Sequence, residues 1–290
     1  MADAPHNKIA LVTGASSGFG LLFTVALARD GFTVVAAMRD LDRRTRLMEA
    51  AAQAGVTDRI DCHLLDVTQA AHIEETAAYI TQRYGRLDLL VNNAGFAMAG
   101  FLEDVSVNEL RRQFDTNFFG AAALTRAFLA QLKGQRFGHI VMVSSISGRV
   151  GFPGVGSYAA SKFALEGWSE TLRYEMKPYG VHVVLLEPGS FQTDIWTRNA
   201  LVSERTRVLG AEADSAQGAR IARWRARLEP RKPRPDAQLV ADFLAGILAN
   251  PRPRLRYSFG TDAWAALLAR AVLPSSWFER IIIRSSGIED

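Results

Sequence analysis

Tyr158 and Lys162 stand four residues apart in Ser157-Tyr158-Ala159-Ala160-Ser161-Lys162. On a helix, positions i and i+4 share a face, so the phenol and the ammonium would point the same way. A phenol titrates near ~10 in model peptides, too high for easy proton exchange at neutral pH, and a nearby ammonium favours its anion. Such a pair can give a proton to a carbonyl oxygen or take one from an alcohol. Ser145, thirteen residues upstream, could hold the same oxygen by a hydrogen bond. Taken alone, a Tyr–Lys pair at this spacing is ordinary on an amphipathic helix and reads as structural.

A second group of residues points to a phosphate. A strand at Lys8–Thr13 runs into Thr13-Gly14-Ala15-Ser16-Ser17-Gly18-Phe19-Gly20 and then a helix. Glycines there let the backbone turn sharply and approach a pyrophosphate, while the helix N-terminus offers N–H groups and partial positive charge. Glycine-rich strand–helix turns also arise for steric reasons alone. The loop is not of the Walker type, since no Lys-Ser or Lys-Thr follows the last glycine. Leu65-Asp66-Val67 and Asn92-Asn93-Ala94-Gly95, each ending a further apolar run, strengthen the reading. Asp66 can accept from an adenine amino group, and small residues at Ala94 and Gly95 leave room for a ribose. These features suit a dinucleotide with Gly14, Ser16, Ser17, Gly18, Phe19, Gly20, Asp66, Val67, Asn93, Ala94 and Gly95 as its contacts.

The end of the second apolar run distinguishes the dinucleotides. An NAD site places an acid there to hold the adenosine ribose hydroxyls. Here Met38 occupies that position and Arg39 follows. A guanidinium can pair with a 2′-phosphate through two hydrogen bonds, so NADP(H) is favoured, with hydroxyl contacts from Ser16 and Ser17. Asp40 weakens that positive field, and Arg39 could simply be a solvated loop residue, so NAD(H) stays possible. An oxidised nicotinamide near Tyr158 would further favour its phenolate.

These residues need a scaffold that gathers them. Apolar, β-branched runs at Lys8–Thr13, Phe32–Met38, Ile60–Leu65, Leu87–Asn92, His139–Ser144 and Val181–Glu187 read as buried parallel strands. Helices are expected at about 18–30, 42–54, 69–84, 106–133 and 157–177. That rhythm is an α/β, Rossmann-like doubly wound parallel sheet with helices on both faces. Ligands bind such sheets outside the carboxyl ends of the strands, where every motif above falls. After Pro188 the rhythm breaks. Residues 190–235 read as a weakly helical substrate lid, followed by a helix from Asp236 to about Leu248 and a last strand at Leu255–Phe259. Two apolar segments, 262–272 and 275–283, then form a C-terminal extension over 261–290 that could cover the pocket or join a subunit interface. One domain over 1–290 is the simplest account.

With these motifs in order, the chain over about residues 8–195 resembles the short-chain dehydrogenase/reductase family, with its Thr-Gly-x-x-x-Gly-x-Gly pattern. The resemblance implies that Ser145, Tyr158 and Lys162 are the catalytic serine, tyrosine and lysine. Asn117 would position a water in the proton relay, and Lys162 would also hold the nicotinamide ribose. It implies that Pro188-Gly189-Ser190-Phe191-Gln192-Thr193 holds the nicotinamide carboxamide, with Thr193 as the side-chain contact. Glu187-Pro188-Gly189 and Met38-Arg39-Asp40 resemble the 17β-hydroxysteroid and retinol dehydrogenase-like branch. Gly151–Val155, with Phe152 and Val155, would line the substrate side, joined by Phe96, Met98, Phe191 and Trp196, though Phe96 and Met98 could be core. Such a pocket suits a lipophilic alcohol or ketone. The family also implies a homodimer or homotetramer through the helices at 106–133 and 157–177.

Composition narrows the rest. The net charge of +4 is too small to argue for nucleic acid. It is concentrated in residues 198–235, which hold ten Arg or Lys against four Asp or Glu. Ile221, Trp224 and Leu228 share a helical face there beside Arg220, Arg223 and Arg227, as in a lid helix or, less simply, a membrane-surface helix. The five histidines lack metal-ligand spacing, so no metal is expected. Cys62, the single cysteine, reads as a core residue in a reducing compartment. Neither a secretory leader nor a spanning segment is legible, which makes a cytoplasmic enzyme the expectation. A dinucleotide-sensing regulator without turnover is the alternative from another class.

Overall fold

The computed structural model describes residues 8–193, 195, 200–211, 215–228 and 234–288, with only the backbone of 227 and 228. Trp196, His6 and the Leu228 side chain therefore lie outside the described residues. Strands β1 (Ile9–Thr13), β2 (Thr33–Met38), β3 (Ile60–Leu64), β4 (Leu89–Asn92), β6 (Gly138–Val143), β7 (Val181–Pro188) and β9 (Arg256–Phe259) form one sheet. Its order is β3-β2-β1-β4-β6-β7-β9, and every pairing is parallel. The chain reverses its direction of travel between β1 and β4, which opens a crevice at their carboxyl ends.

Both faces of the sheet are covered because its strands are apolar on both sides. Ala10 and Val12 of β1 join one core with Phe23 and Leu27 of α1 (Gly18–Arg29), Leu47 of α2 (Thr45–Ala54) and Leu244 of α9 (Gln238–Ala249). Ile9 and Leu11 point the other way, toward Ile80 of α3 (Ala70–Tyr84), Phe128 of α5 (Ala121–Gln135) and Leu165 of α6 (Gly156–Met176). The exception is β3, an edge strand whose residues are half-exposed, not buried as the apolar run suggested. Cys62 sits there, half-buried against Met48, and burial raises its thiol pKa, which leaves it inert.

The long helix expected over 106–133 is interrupted. Helix α4 (Val107–Phe114) opens with a capping box on Ser106 and Glu109, passes into a π-helical turn over Asp115–Gly120, and resumes as α5. The bulge places the Asn117 side chain inward against the backbone of Phe96, and only glycine fits at 120 beside Val67. Such insertions favour functional sites.

Among the described residues after Pro188, more lie in regular elements than the polar sequence suggested. Strand β8 (Ala200–Val202) pairs in parallel with β5 (Ala97–Ala99), and α7 (Glu204–Leu209) and α8 (Ala216–Leu228) follow. The C-terminal apolar segments are α10 (Thr261–Val272) and α11 (Ser275–Ser286).

Candidate active site

The glycine loop owes its shape to close packing. Gly14 and Gly18 have φ of +67° and +54°, conformations that a side chain disfavours. A methyl at Gly20 would lie 2.2 Å from the Gly14 carbonyl oxygen and 2.5 Å from Asn93 Nδ2. Thr13, buried at the switch point, stitches the two strand ends together. Its hydroxyl accepts from the backbone N–H groups of Asn93 and Ala94, each at 2.9 Å, while Asn93 Nδ2 donates to the Thr13 carbonyl at 2.9 Å. Asn93 and Gly20 thus act through the backbone they hold.

A crevice of about 520 Å³ opens above this stitch, of the size that holds a large cofactor. Gly14, Ser16, Ser17, Gly18, Phe19, Asp66, Val67, Asn93, Ala94, Gly95 and Thr193 line it as expected, and so does Arg39. The first turn of α1 has no side-chain cap and no acidic residue, so its N–H groups and dipole suit an anion. One Asp66 carboxylate oxygen accepts from the Thr68 backbone N–H and hydroxyl at 2.9 and 2.7 Å, and the Asp66 N–H donates to His72 Nδ1, which fixes the turn. The residues present fit a dinucleotide, with a phosphate at the α1 terminus and exposed cations where a 2′-phosphate would lie. Sequence reasoning missed Arg43, Arg112, Asp115, Thr116, Ile195 and Leu201 on the same walls. Arg43, one turn after Arg39, was within reach of local spacing; the others come from distant elements.

Tyr158, Lys162 and Ser145 lie together and out of the solvent, 5%, 5% and 8% exposed. Ser145 closes the loop after β6, and Tyr158 and Lys162 sit in the first two turns of α6. The Ser145 hydroxyl lies near enough to the Tyr158 phenol to favour its anion. The Lys162 ammonium lies 5.7 Å from the centre of the Tyr158 ring and donates to the Val143 carbonyl at 2.8 Å. Burial pushes the Tyr158 phenol up to about 12, against the pull of Ser145. Burial thus wins, and the phenol lies above its usual range where the sequence reading expected it to be lowered. Burial also brings Lys162 down to about 8, while Glu166 pulls it back up.

Asn117 joins the two ends of the site, though not with a free amide. Its Oδ1 accepts from the Phe96 N–H at 3.1 Å and its Nδ2 donates to the Phe96 carbonyl at 3.0 Å. Nδ2 also reaches Ser161 Oγ at 3.4 Å, which in turn donates to the Tyr158 carbonyl at 2.7 Å. Phe96 lines the crevice, whereas Met98 is core, 2% exposed.

Around the Pro188 turn the placement is mixed. Pro188 ends β7, with its carbonyl 3.5 Å from the Ser145 hydroxyl. At Gly189 a methyl would come within 2.3 Å of Asp262 Oδ1, and Asp262 also accepts from the Ser190 N–H at 2.7 Å. Phe191 does not line the crevice. It is buried behind the wall, edge-on to Phe19 at 6.0 Å, because the turn folds its ring into the core beside α1. Phe152 and Val155 are likewise drawn under the later helices. Val155 packs with Phe101, Ile221 and Trp224, and Phe152 also meets Leu267, Phe278 and Ile282. Ile221 and Trp224 are buried, Trp224 Nε1 donates to the Pro153 carbonyl at 3.1 Å, and Arg220 pairs with Glu103 at 2.9 Å. Helix α8 thus turns its apolar face onto the protein, as a lid helix would.

Among the described residues no group of His, Cys, Asp or Glu could hold a metal, and no helix is long and apolar enough to cross a membrane.

The pattern of the short chain dehydrogenase family matches residues 8–201. An uncharacterized oxidoreductase of Bacillus subtilis, YusZ, is 39% identical over 96% of this chain and 98% of its own. Bovine retinol dehydrogenase 8 is 35% identical over 95% of this chain and 88% of its own. Among solved structures, a short-chain dehydrogenase from Streptomyces avermitilis superposes with a TM-score of 0.77 at 34% identity, over 94% of this chain and 98% of that one. An alcohol dehydrogenase from Thermococcus sibiricus, complexed with 5-hydroxy-NADP, has a TM-score of 0.68 at 25% identity, over 87% and 95%. A short-chain dehydrogenase/reductase from Burkholderia phymatum, in complex with NAD, has a TM-score of 0.73 at 28% identity, over 95% of both. The parallel seven-stranded sheet, the glycine turn at its switch point and these likenesses agree, and the chain belongs to the short-chain dehydrogenase/reductase family of oxidoreductases.

Proposed function

We propose that this protein is an NADP(H)-dependent oxidoreductase that interconverts a lipophilic secondary alcohol and its carbonyl, with Tyr158 as the general acid/base. The observation that carries the reading is the burial of Tyr158 together with Ser145 and Lys162, whose ammonium stands over the phenol ring. A bound nicotinamide dinucleotide would supply or accept the hydride. In the reducing direction, Ser145 and Tyr158 hold the carbonyl oxygen, and Tyr158 delivers its proton as the alkoxide develops. Lys162 stabilises the phenolate left behind and passes it a proton from the interior. Both ends of the Asn117 amide are engaged by Phe96, so its side chain would act by fixing the π-turn against the crevice wall. The α1 terminus would hold the pyrophosphate of a bound cofactor, Arg39 and Arg43 its 2′-phosphate, and Thr193 its carboxamide. The exposed cations after β2 favour NADP(H) over NAD(H).

Phe96, with Ile195 and Leu201 of the lid segment, gives the crevice an apolar wall, and the likeness to a retinol dehydrogenase favours a hydrophobic substrate. Two copies are expected to meet through the π-turn, α5 and α6, where Phe119 of the turn and Phe163 and Tyr174 of α6 are exposed, in a cytoplasmic homo-oligomer. NADPH consumption over steroid, retinal and aromatic ketone panels tests the reading. Tyr158→Phe should cut turnover by about 10²–10⁴-fold while NADPH affinity, followed by its fluorescence, changes little. Equal turnover by the variant would refute the assignment of Tyr158. A wild type that binds NADPH and turns over nothing would favour a sensor.

A further inference from the structure

Behind Lys162 lies a cluster of charges that the proton-transfer reading does not use. Glu166, one turn along α6 from Lys162, is 4% exposed, and Glu187 of β7 is fully buried. Buried carboxylates are costly unless paired. Arg256 of β9 donates to Glu166 Oε2 at 2.9 Å and to the half-exposed Glu170 at 2.5 Å, and its Nε lies 3.3 Å from Glu187 Oε1. Arg149, from the loop after Ser145, donates to Glu187 at 2.9 Å, and Ser258 donates to its other oxygen at 2.6 Å. Arg149 is itself tethered through its carbonyl to Arg270 of α10. The cluster thus sets three acids against two arginines, and Lys162, one turn before Glu166 on α6, lies within reach of the field of Glu166.

The Glu166 oxygen that Arg256 does not take, Oε1, is buried without a hydrogen-bond partner. At Gly148 a methyl would come within 3.0 Å of Glu166 Cγ and 3.2 Å of the Lys162 carbonyl, so the loop after Ser145 is pressed onto this turn of the helix. The groups facing Glu166 are therefore Lys162 and Glu170 on its own helix, Ser144 after β6, Glu187 on β7 and Arg256 on β9, with Arg149 behind Glu187. The Glu166 carboxyl lies above its usual range, raised by burial first and then by Glu187, with Arg256 the cation that pulls it back toward the anion.

We propose that Glu166 is a positioning residue for the proton-transfer pair: held as an anion by Arg256, it keeps the buried Lys162 charged. Arg256 lies beyond the segment that the family pattern covers, so the device joins the shared site to the C-terminal part of this chain. The inference rests on the proposed roles of Tyr158 and Lys162, but its test does not need turnover. The chain has five lysines, so Cε-¹³C-lysine NMR can follow Lys162, assigned through Lys162→Arg, in the cofactor-free protein. Glu166→Gln should lower the Lys162 midpoint by about half a pH unit or more, because it removes an anion without changing shape. Glu166→Asp should restore part of the shift, and Glu170→Gln, on the exposed side of Arg256, should leave the midpoint near the wild-type value. The alkaline limb of the reduction profile should move down with Lys162 in Glu166→Gln alone. An unmoved Lys162 midpoint in Glu166→Gln, or an equal shift in Glu170→Gln, would overturn the proposal. If Glu166→Gln does not fold, the wild-type Glu166 carboxyl carbon should show a second step where Lys162 titrates; a flat trace there counts against coupling. Full activity in Tyr158→Phe would instead defeat the parent reading and leave the Lys162 measurement standing.

Discussion

Arg39→Asp tests the cofactor reading most directly, and its size can be worked from the site. Arg39 is an exposed residue on the crevice wall beyond β2, with Arg43 one turn away. Two unit charges about 5 Å apart in water interact by about 0.8 kcal/mol. A phosphate near −1.5 to −2 raises this to about 1.2–1.6 kcal/mol. Reversing the sign of residue 39 doubles the change to about 2.4–3.2 kcal/mol, and screening over a Debye length of ~8 Å halves it. About 1.5 kcal/mol is left, a loss of about tenfold in NADPH affinity at physiological salt. NADH, without the phosphate, should bind Arg39→Asp about as well as the wild type. Fluorescence titration of both cofactors against both proteins, at low and physiological salt, measures the ratio, which should widen as salt is lowered. A wild type that prefers NADH, or a ratio indifferent to residue 39 and to salt, would refute the assignment of the 2′-phosphate to these arginines. Arg43→Asp should lose less, since Arg43 already lies 3.4 Å from Asp40.

Three further outcomes follow from packing and titration. Gly20→Ala drives a methyl into the Gly14 carbonyl and Asn93. It should cost about 1–3 kcal/mol and abolish the rise in melting temperature that NADPH brings, as thermal melts with and without cofactor would show. Gly154→Ala combines a φ of +78° with a methyl 2.2 Å from the Trp224 ring, so α8 must lift. Its substrate KM should rise while NADPH affinity holds; unchanged steady-state kinetics would mean that α8 does not cover the substrate. His139 is held down to about 4 by burial and by His182, against 6.5 when free, so the unfolded chain binds the extra proton between those values. Stability should therefore fall as pH drops from 6.5 toward 4, by up to about 3 kcal/mol from this group, and denaturant melts of His139→Phe should show a shallower slope.

The sequence by itself determined the alternating α/β order, the strand ends that face the crevice and most of the residues that line it. The physical reason is that these signals are local. Strand-length apolar runs, a glycine turn and an i, i+4 pair depend only on neighbours along the chain. Arg39 was legible because its position relative to β2 says where its side chain goes. The tertiary structure decided what depends on approach between distant segments. The π-turn that places Asn117 against Phe96 has no periodicity of its own, and an unbroken helix was the natural reading of 106–133. Phe191, Phe152 and Val155 carry the apolar character of a pocket wall, yet Phe19, Trp224 and the C-terminal helices claim them, because burial goes to whichever surface comes closest. Polar residues 200–228 pair a strand with β5 and bury Ile221 and Trp224, contacts that composition does not foretell. The state of Tyr158 and Lys162 was decided in the same way. Their spacing is written in six consecutive residues, but burial raises the phenol, and a glutamate with a distant arginine decides how the lysine keeps its proton.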